Sequence, residues 1–392
     1  MRVALVHDFL VEYGGGERVL EALAEIFPDA SIYTAYFNPD GFGPHKDRIK
    51  SWNIKTSWLQ FFPRKLISPF RIFAAQIFEN FDLSAYDLVI SSCNTYFAKA
   101  VKVRNGALHI SYIHTPPRYL YGYTTSFNYK KNPLTRVLGE LANHFLRIKD
   151  FEVSQRPDIL VANSKEVQAR IKKFYRRDSV VIYPPVDLMS FPRTKADLGM
   201  RESNKKNIYG SRIKSGMTEG KYFLSVGRLV RGKGIDIIIE ACVRLGLPLK
   251  VVGSGPEREN LESRIKNQGY KNIEFLGQVS DRELPKLYAG AKATIVASED
   301  EDFGITSIEA QAAGTPVIAP ASGGFLETVI DGKTGLLYGG PGMVNADSLI
   351  GVLREFREDQ FKSEDLRKNA EKFSKERFKK EILELVEKNL RA

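Results

Sequence analysis

Two carboxylates, two cations and one histidine stand where this sequence could do chemistry. Glu301 and Glu309 are eight residues apart within Ser298 to Pro320, S-E-D-E-D-F-G-I-T-S-I-E-A-Q-A-A-G-T-P-V-I-A-P. A β-rich apolar run, Ala291 to Ala297, precedes that loop, and a second, Thr315 to Ala319, follows it. Between them Ile305, Ile308, Ala312 and Ala313 share a helical face, which Gly314 ends. Glu301 is therefore expected in a loop at a strand's carboxyl end and Glu309 two turns into the helix, the edge where open parallel sheets bind ligands. Gly304 would admit a close approach, and the N–H groups of Phe303, Gly304 and Ile305 at the helix start would suit an anion. A carboxylate repels phosphate, so the two Glu should accept hydrogen bonds from hydroxyls instead. A ligand with phosphates in the middle and polyols on both sides fits: a nucleotide sugar. On chemistry alone the bland alternative stays open, with Glu301 one solvated acid among four and Glu309 exposed on its helix.

The cations lie upstream. Arg228 and Lys233 are five apart in G-R-L-V-R-G-K-G, a glycine-rich turn between the strand Tyr222 to Val226 and a helix from Ile235. Both can reach one diphosphate at that helix N-terminus. His114 follows an apolar strand in Y-I-H-T-P-P-R-Y, where Pro116 and Pro117 stop the chain and fix the imidazole at the ligand edge. His7, after the first strand, ranks second; His45, His109 and His144 read as structural or exposed. Gly14, Gly15 and Gly16 separate the strand Val3 to Val6 from a helix at Glu17 to Ile26, which by geometry is a phosphate-approach loop without the dinucleotide fingerprint. A tight turn with no ligand is the alternative there.

Taken together, E-D-F-G-I-T-S-I-E-A-Q-A-A-G-T-P-V-I-A resembles the E-x7-E signature of retaining glycosyltransferase family 4, and the likeness extends over nearly the whole chain. It is weakest at 40–85 and 194–221. G-G-G-E-R-V is similar to the family's N-terminal glycine loop, H-T-P-P-R-Y to its histidine segment and G-R-L-V-R-G-K-G to its pyrophosphate loop. The resemblance implies a GT-B fold of two facing Rossmann-like domains and transfer of a hexose, mannose favoured, from a nucleotide diphosphate sugar to a saccharide acceptor. It implies that Arg228 and Lys233 neutralise the leaving group, that Glu309 binds ribose and Glu301 the transferred sugar, and that His114 contacts that sugar. Gly15, Gly16, Phe303, Gly304 and Ile305 complete the expected donor-binding set. No cofactor and no metal are expected. An epimerase or a phosphorylase on the same fold is the alternative, with a basic nucleic-acid binder behind it.

The elements that must position these residues are α/β units. At 392 residues with 43% hydrophobic content, the chain suits two cores rather than one. Further strand-like runs lie at Ser31 to Ala35, Leu88 to Ser91, Leu108 to Ile113, Ile159 to Ala162, Val180 to Tyr183, Leu249 to Val252 and Ile273 to Gly277, with helical patterns between them, which predicts parallel doubly wound sheets. The expected division is an acceptor-side domain at 1–190, a polar linker or mobile loop at 191–221, a nucleotide-sugar domain at 222–373 and a helix at 374–392 returning to the first domain. Cys93 and Cys242 show no metal spacing and read as buried thiols. No signal peptide or membrane-spanning run is seen, so a cytoplasmic location is expected.

The formal charge is +11, and Lys130 to Arg177 alone holds twelve Lys and Arg against five Asp and Glu. No zinc-finger, RRM or KH signature accompanies this excess, which argues against nucleic acid. Aromatic and basic residues also interleave from Trp58 to Phe78, as in segments that lie in a membrane interface, although Pro63 and Pro69 interrupt any single helix. These two stretches predict peripheral contact of the first domain with an anionic membrane carrying a lipid-linked acceptor. Core packing and solvated helix faces are the alternatives.

Overall fold

The computed structural model describes residues 1–63, 68–94, 96–123, 133–191 and 222–390. It divides into two units, Met1–Pro185 with Lys375–Ala392, and Val186–Ser374. Arg64 to Ile67, Lys130, Lys131 and residues 192–221, the bulk of the expected linker, lie outside the described residues.

The first unit is built on a seven-stranded sheet, all parallel, in the order β3-β2-β1-β4-β5-β6-β7. Its strands are β1 (Val3–His7), β2 (Ser31–Thr34), β3 (Asn53–Thr56), β4 (Leu88–Cys93), β5 (Leu108–Ile113), β6 (Ile159–Ala162) and β7 (Val180–Val181). The helices are α1 (Gly15–Ile26), α2 (Ala74–Glu79), α3 (Arg118–Tyr121), α4 (Pro133–Val153) and α5 (Lys165–Tyr175). Every residue of β1 and β4 is buried, which is why V-A-L-V and L-V-I within them read as apolar runs. β3 escaped the sequence reading because it is an edge strand with the sequence N-I-K-T, half exposed, and no apolar run announces it. The order reverses at β1, whose neighbours are β2 on one side and β4 on the other, and the carboxyl ends of β1 and β4 flank that switch point.

The second unit repeats the plan with six parallel strands in the order β10-β9-β8-β11-β12-β13. These are β8 (Tyr222–Val226), β9 (Leu249–Val252), β10 (Ile273–Gly277), β11 (Ala291–Ile295), β12 (Val317–Pro320) and β13 (Gly335–Tyr338). The helices are α6 (Ile235–Arg244), α7 (Arg258–Asn267), α8 (Leu284–Gly290), α9 (Ile305–Ala312), α10 (Phe325–Thr328), α11 (Ala346–Glu355) and α12 (Ser363–Glu371). The switch point here lies between β8 and β11, the two strands that lead into the Arg228 and Glu301 loops. After α12 the chain re-enters the first unit as α13 (Lys375–Leu390), whose Phe378, Ile382 and Val386 are buried in the same core as Val19, Leu20 and Leu23 of α1.

The aromatic stretch divides between core and surface. Leu59, Ile77 and Phe78 are buried, while Trp58, Phe61, Ile72 and Phe73 are exposed, Phe61 by 88%. Burial pushes the thiols of Cys93 and Cys242 up to about 12, so both stay protonated at neutral pH.

Candidate functional site

In the second unit, the loop after β8 and the loop after β11 meet. Lys233 Nζ donates to Glu301 Oε2 at 2.6 Å, with the two side chains 31% and 16% exposed. The sequence reading gave these residues to different parts of one ligand; the structure makes them each other's partners. Arg228, on the same turn, also keeps company within the protein. Two helices begin at this edge. α6 starts after Gly234 and α9 after Gly304, both glycines in the left-handed region at φ 60° and 89°, and neither helix has a side-chain cap. Both N-termini therefore offer partial positive charge, worth about 0.3–1 kcal/mol each to an anion at an exposed site.

The approach of these loops is backbone on backbone. A Cβ on Gly324 would lie 2.4 Å from the Cα of Phe303, so the turn after β12 can support the acidic loop only with glycine there. Gly324 N–H donates to the Glu301 carbonyl at 2.9 Å, and Ser322 Oγ donates to the Glu299 carbonyl. The Glu299 carboxylate accepts from Gly342 N–H, so it anchors the loop. Phe303 is buried edge-on against Phe373, which faces it inward rather than toward a ligand.

Glu309 lies nearer the helix start than its sequence placement, as the fifth residue of α9, and it is buried at 3% exposure rather than presented on a solvated face. Tyr288 of α8 is fully buried and donates its hydroxyl to Glu309 Oε2 at 2.9 Å. A carboxylate has about four lone-pair sites, of which the phenol takes one.

The first unit holds a second polar cluster at the carboxyl ends of β1, β4 and β5. His114 Nε2 lies 2.8 Å from Ser92 Oγ, which lies 3.0 Å from His7 Nδ1; His7 Nε2 lies 3.4 Å from Glu17 Oε1. All four side chains are buried. Burial pushes the His114 pKa down to about 3, with the nearby His7 charge second, so the imidazole is neutral at physiological pH. Glu17 also accepts from Gly14 N–H at 2.9 Å, capping α1. Gly16 lies over the pair: a Cβ there would stand 3.5 Å from His7 Cε1 and 3.8 Å from His114 Nε2. Gly15 and Gly16 belong to the first turn of α1 rather than to the loop before it. Thr115 is fixed by buried Arg170 of α5, which donates to its hydroxyl at 3.2 Å.

Sequence reasoning missed three members of this cluster, Ser92, Glu17 and, as a partner of His114, His7. It also missed Asp8, which accepts from the backbone N–H groups of Asn94, Tyr96 and Ala98 and so shapes the turn after β4. The remaining histidines are elsewhere: His109 is buried on β5 beside Ser91, His45 stacks on Tyr13, and His144 is exposed on α4. Among the described residues, no group of three His, Cys, Asp or Glu is arranged to hold a metal ion.

Comparison with known proteins names the family. The model "Glycosyltransferase Family 4" matches residues 13–189, and "Glycosyl transferases group 1" matches 211–373. D-inositol 3-phosphate glycosyltransferase of Corynebacterium urealyticum is 29% identical over 61% of this chain and 58% of its own. Mannosylfructose-phosphate synthase of Agrobacterium fabrum is 33% identical over 30% of this chain and 29% of its own. The chain thus spans less than two thirds of either relative. An Anabaena protein solved in complex with UDP-glucose superposes with a TM-score of 0.66 at 19% identity, covering 99% of this chain and all of the other, which shows a shared fold. With two parallel doubly wound sheets of the GT-B class, and one family model on each unit, the chain belongs to the family 4 and group 1 glycosyltransferases.

Proposed function

We propose that the protein is a retaining hexosyltransferase that moves a sugar, mannose favoured, from a nucleotide diphosphate sugar to a saccharide acceptor, without a metal. One observation carries the reading. At the switch point of the second unit, two uncapped helix N-termini, the Lys233–Glu301 pair and buried Glu309 share one sheet edge. That edge offers charge for a diphosphate and acceptors for hydroxyls, the two chemistries a nucleotide sugar presents. As the bond from the sugar's C1 to the diphosphate breaks, negative charge grows on the leaving oxygens. Arg228, Lys233 and the helix N–H groups would hold it, in the preorganised electrostatic role usually worth most in catalysis. Glu309 would take the ribose hydroxyls, Glu301 would orient the hexose, and His114 would meet a sugar hydroxyl. The relative named for mannosylfructose phosphate supports mannose as the first sugar to try.

The test is a thermal-shift panel of GDP-, UDP-, ADP- and dTDP-sugars. A ligand bound only by the native state stabilises by RT ln(1 + [L]/Kd), about 2.7 kcal/mol at one hundred times Kd. One nucleotide class should raise Tm, and Arg228→Ala should abolish the shift. No shift with any of them, in folded protein, would sink the reading.

For the acceptor we propose a lipid-linked saccharide met at an anionic membrane surface, as in cell-surface polysaccharide assembly. The supporting feature is α4, which exposes Val137, Leu141, Phe145, Ile148 and Phe151 at helical spacing. Lys173 and Arg176 lie beside exposed Phe151, and no helix among the described residues is long and apolar enough to cross a membrane. An apolar stripe flanked by cations suits an interface. Vesicles with anionic lipid should co-float the protein at low salt, less so after Phe145→Ser with Ile148→Ser; no co-flotation would remove this part of the proposal.

A further inference from the structure

The hydrogen bonds around His114 fix which of its nitrogens carries the proton. Glu17 can only accept as a carboxylate, so a His7 ring with a single N–H turns it, on Nε2, toward Glu17 Oε1 and is left with a lone pair on Nδ1. Ser92 has one hydroxyl proton and lies between two ring nitrogens. It must donate to His7 Nδ1, and its oxygen is then free to accept from His114. His114, neutral because it is buried, has a single N–H to give, and that N–H is on Nε2. No other hydrogen bond to the His114 ring is present among the described residues, which leaves Nδ1 with a lone pair and no partner in the protein.

We propose that Glu17, His7 and Ser92 form a positioning relay that holds His114 as its Nε2–H tautomer, so that Nδ1 faces the saccharide substrate as an acceptor for one of its hydroxyls. The proposal rests on the glycosyltransferase reading for the substrate, but the relay itself does not. It narrows what His114 can touch. A lone pair on Nδ1 cannot bind a phosphate oxygen, which also only accepts; it needs an O–H. Two features make the relay rigid. His7 and Ser92 are register partners on adjacent parallel strands, so the sheet sets their spacing. Glu17 is held from its other oxygen by Gly14 N–H, so it cannot swing away from His7 without uncapping α1. The backbone of Gly16, lying over both rings, leaves that first turn of α1 close against the relay.

The decisive variant is Glu17→Gln. Its amide oxygen must still take the Gly14 N–H, so its NH2 falls toward His7 Nε2 and donates. His7 must then carry its proton on Nδ1 and give it to Ser92, whose hydroxyl turns to His114 Nε2. His114 is left as the Nδ1–H tautomer, a donor where it was an acceptor, although no atom beside it has been changed. The readout is a long-range 1H–15N spectrum of full-length protein labelled at its five histidines, with His114 assigned by His114→Gln. We expect the Nε2–H pattern in the wild type, its inversion in Glu17→Gln, and a mixture in Ser92→Ala, where the intermediary hydroxyl is gone. With the donor identified, kcat should fall about 10–100-fold in Glu17→Gln, the range for losing a partner that orients a functional imidazole, with donor KM within about twofold. Ser92→Thr, which keeps the hydroxyl, should restore the wild-type pattern. An Nδ1–H wild type, or a tautomer unmoved in both Glu17→Gln and Ser92→Ala, overturns the relay. Inversion with unchanged kcat overturns its role toward substrate. Absence of turnover with every donor would refute the transferase reading while the spectrum still decides the relay.

Discussion

Glu301→Gln removes one charge from the second unit and leaves its shape almost unchanged. Lys233 Nζ and Glu301 Oε2 are 2.6 Å apart, on side chains that water reaches from 31% and 16% of their surface. A pair this accessible is worth about 1 kcal/mol at most. Any anion that recruits Lys233 has to overcome that attraction, so the carboxylate competes with a bound diphosphate. Without it, a nucleoside diphosphate should bind up to about fivefold tighter, since about 1.4 kcal/mol is tenfold in Kd. Catalysis should move the opposite way, because the group that orients the hexose is lost; a drop of about tenfold or more in kcat is expected. Calorimetric titration of wild type and variant with the nucleoside diphosphate of the stabilising class measures the first effect, and initial rates measure the second. Raising salt should narrow the difference in Kd as the pair is screened. Weaker binding in the variant, or a Kd unchanged at low salt, would refute the reasoning that Lys233 is shared between Glu301 and the phosphates.

Three further outcomes are expected. Glu309→Ala should raise donor KM by about tenfold or more, as hydrogen bonds to a charged acceptor are worth about 1.5–3 kcal/mol; an unchanged KM would count against contact with ribose. Lys99→Met should strand Asp150, which is fully buried and lies 2.6 Å from Lys99 Nζ, costing about 3–5 kcal/mol and lowering the unfolding temperature by roughly 6–20 °C. Burial lowers the Lys99 pKa but Asp150 outweighs it and the net shift is upward, so the stability that Lys99 contributes should be present at neutral pH and up to about pH 10.4, the unfolded value, and fade as pH rises above it. Acid should act on His109 and His114, both held down to about 3 by burial. Their contribution is present above about pH 6.5 and lost as pH falls, by roughly 2 kcal/mol each at pH 5, and His109→Gln should flatten the measured slope of stability against pH.

Much of the architecture was legible because parallel strands buried on both faces write themselves as apolar runs, as V-A-L-V in β1 and L-V-I in β4 do. β13 has no counterpart among the strand-like runs of the sequence, since glycine begins it and it is just four residues long. The residues of the second unit's cluster were legible from local spacing, because Arg228 with Lys233 lie within one strand-to-helix connection and Glu301 with Glu309 within one such connection and the helix it enters. What joins Lys233 to Glu301 is not local: 68 residues separate them, and only the adjacency of β8 and β11 brings them together. The relay was illegible for the same reason. His7 and Ser92 are 85 residues apart and Ser92 and His114 are 22 apart, so no motif contains them. A usable signal existed, in that His7, Ser92 and His114 each lie within one residue of a strand's carboxyl end, but it gains meaning only once the sheet order is known.

The return of the chain to its first unit has a consequence for biosynthesis. Residues 186–374 form the second unit without interruption, whereas the first needs Phe378, Ile382 and Val386, which are translated after it. The usual order, in which the amino-terminal domain finishes while the rest is still being made, therefore cannot hold here. On the ribosome the second unit is the one able to close first, and until α13 emerges the face of α1 that bears Val19, Leu20 and Leu23 lacks its cover. That interval is when a chaperone would find this nascent chain, and when a stalled or truncated product would be stickiest.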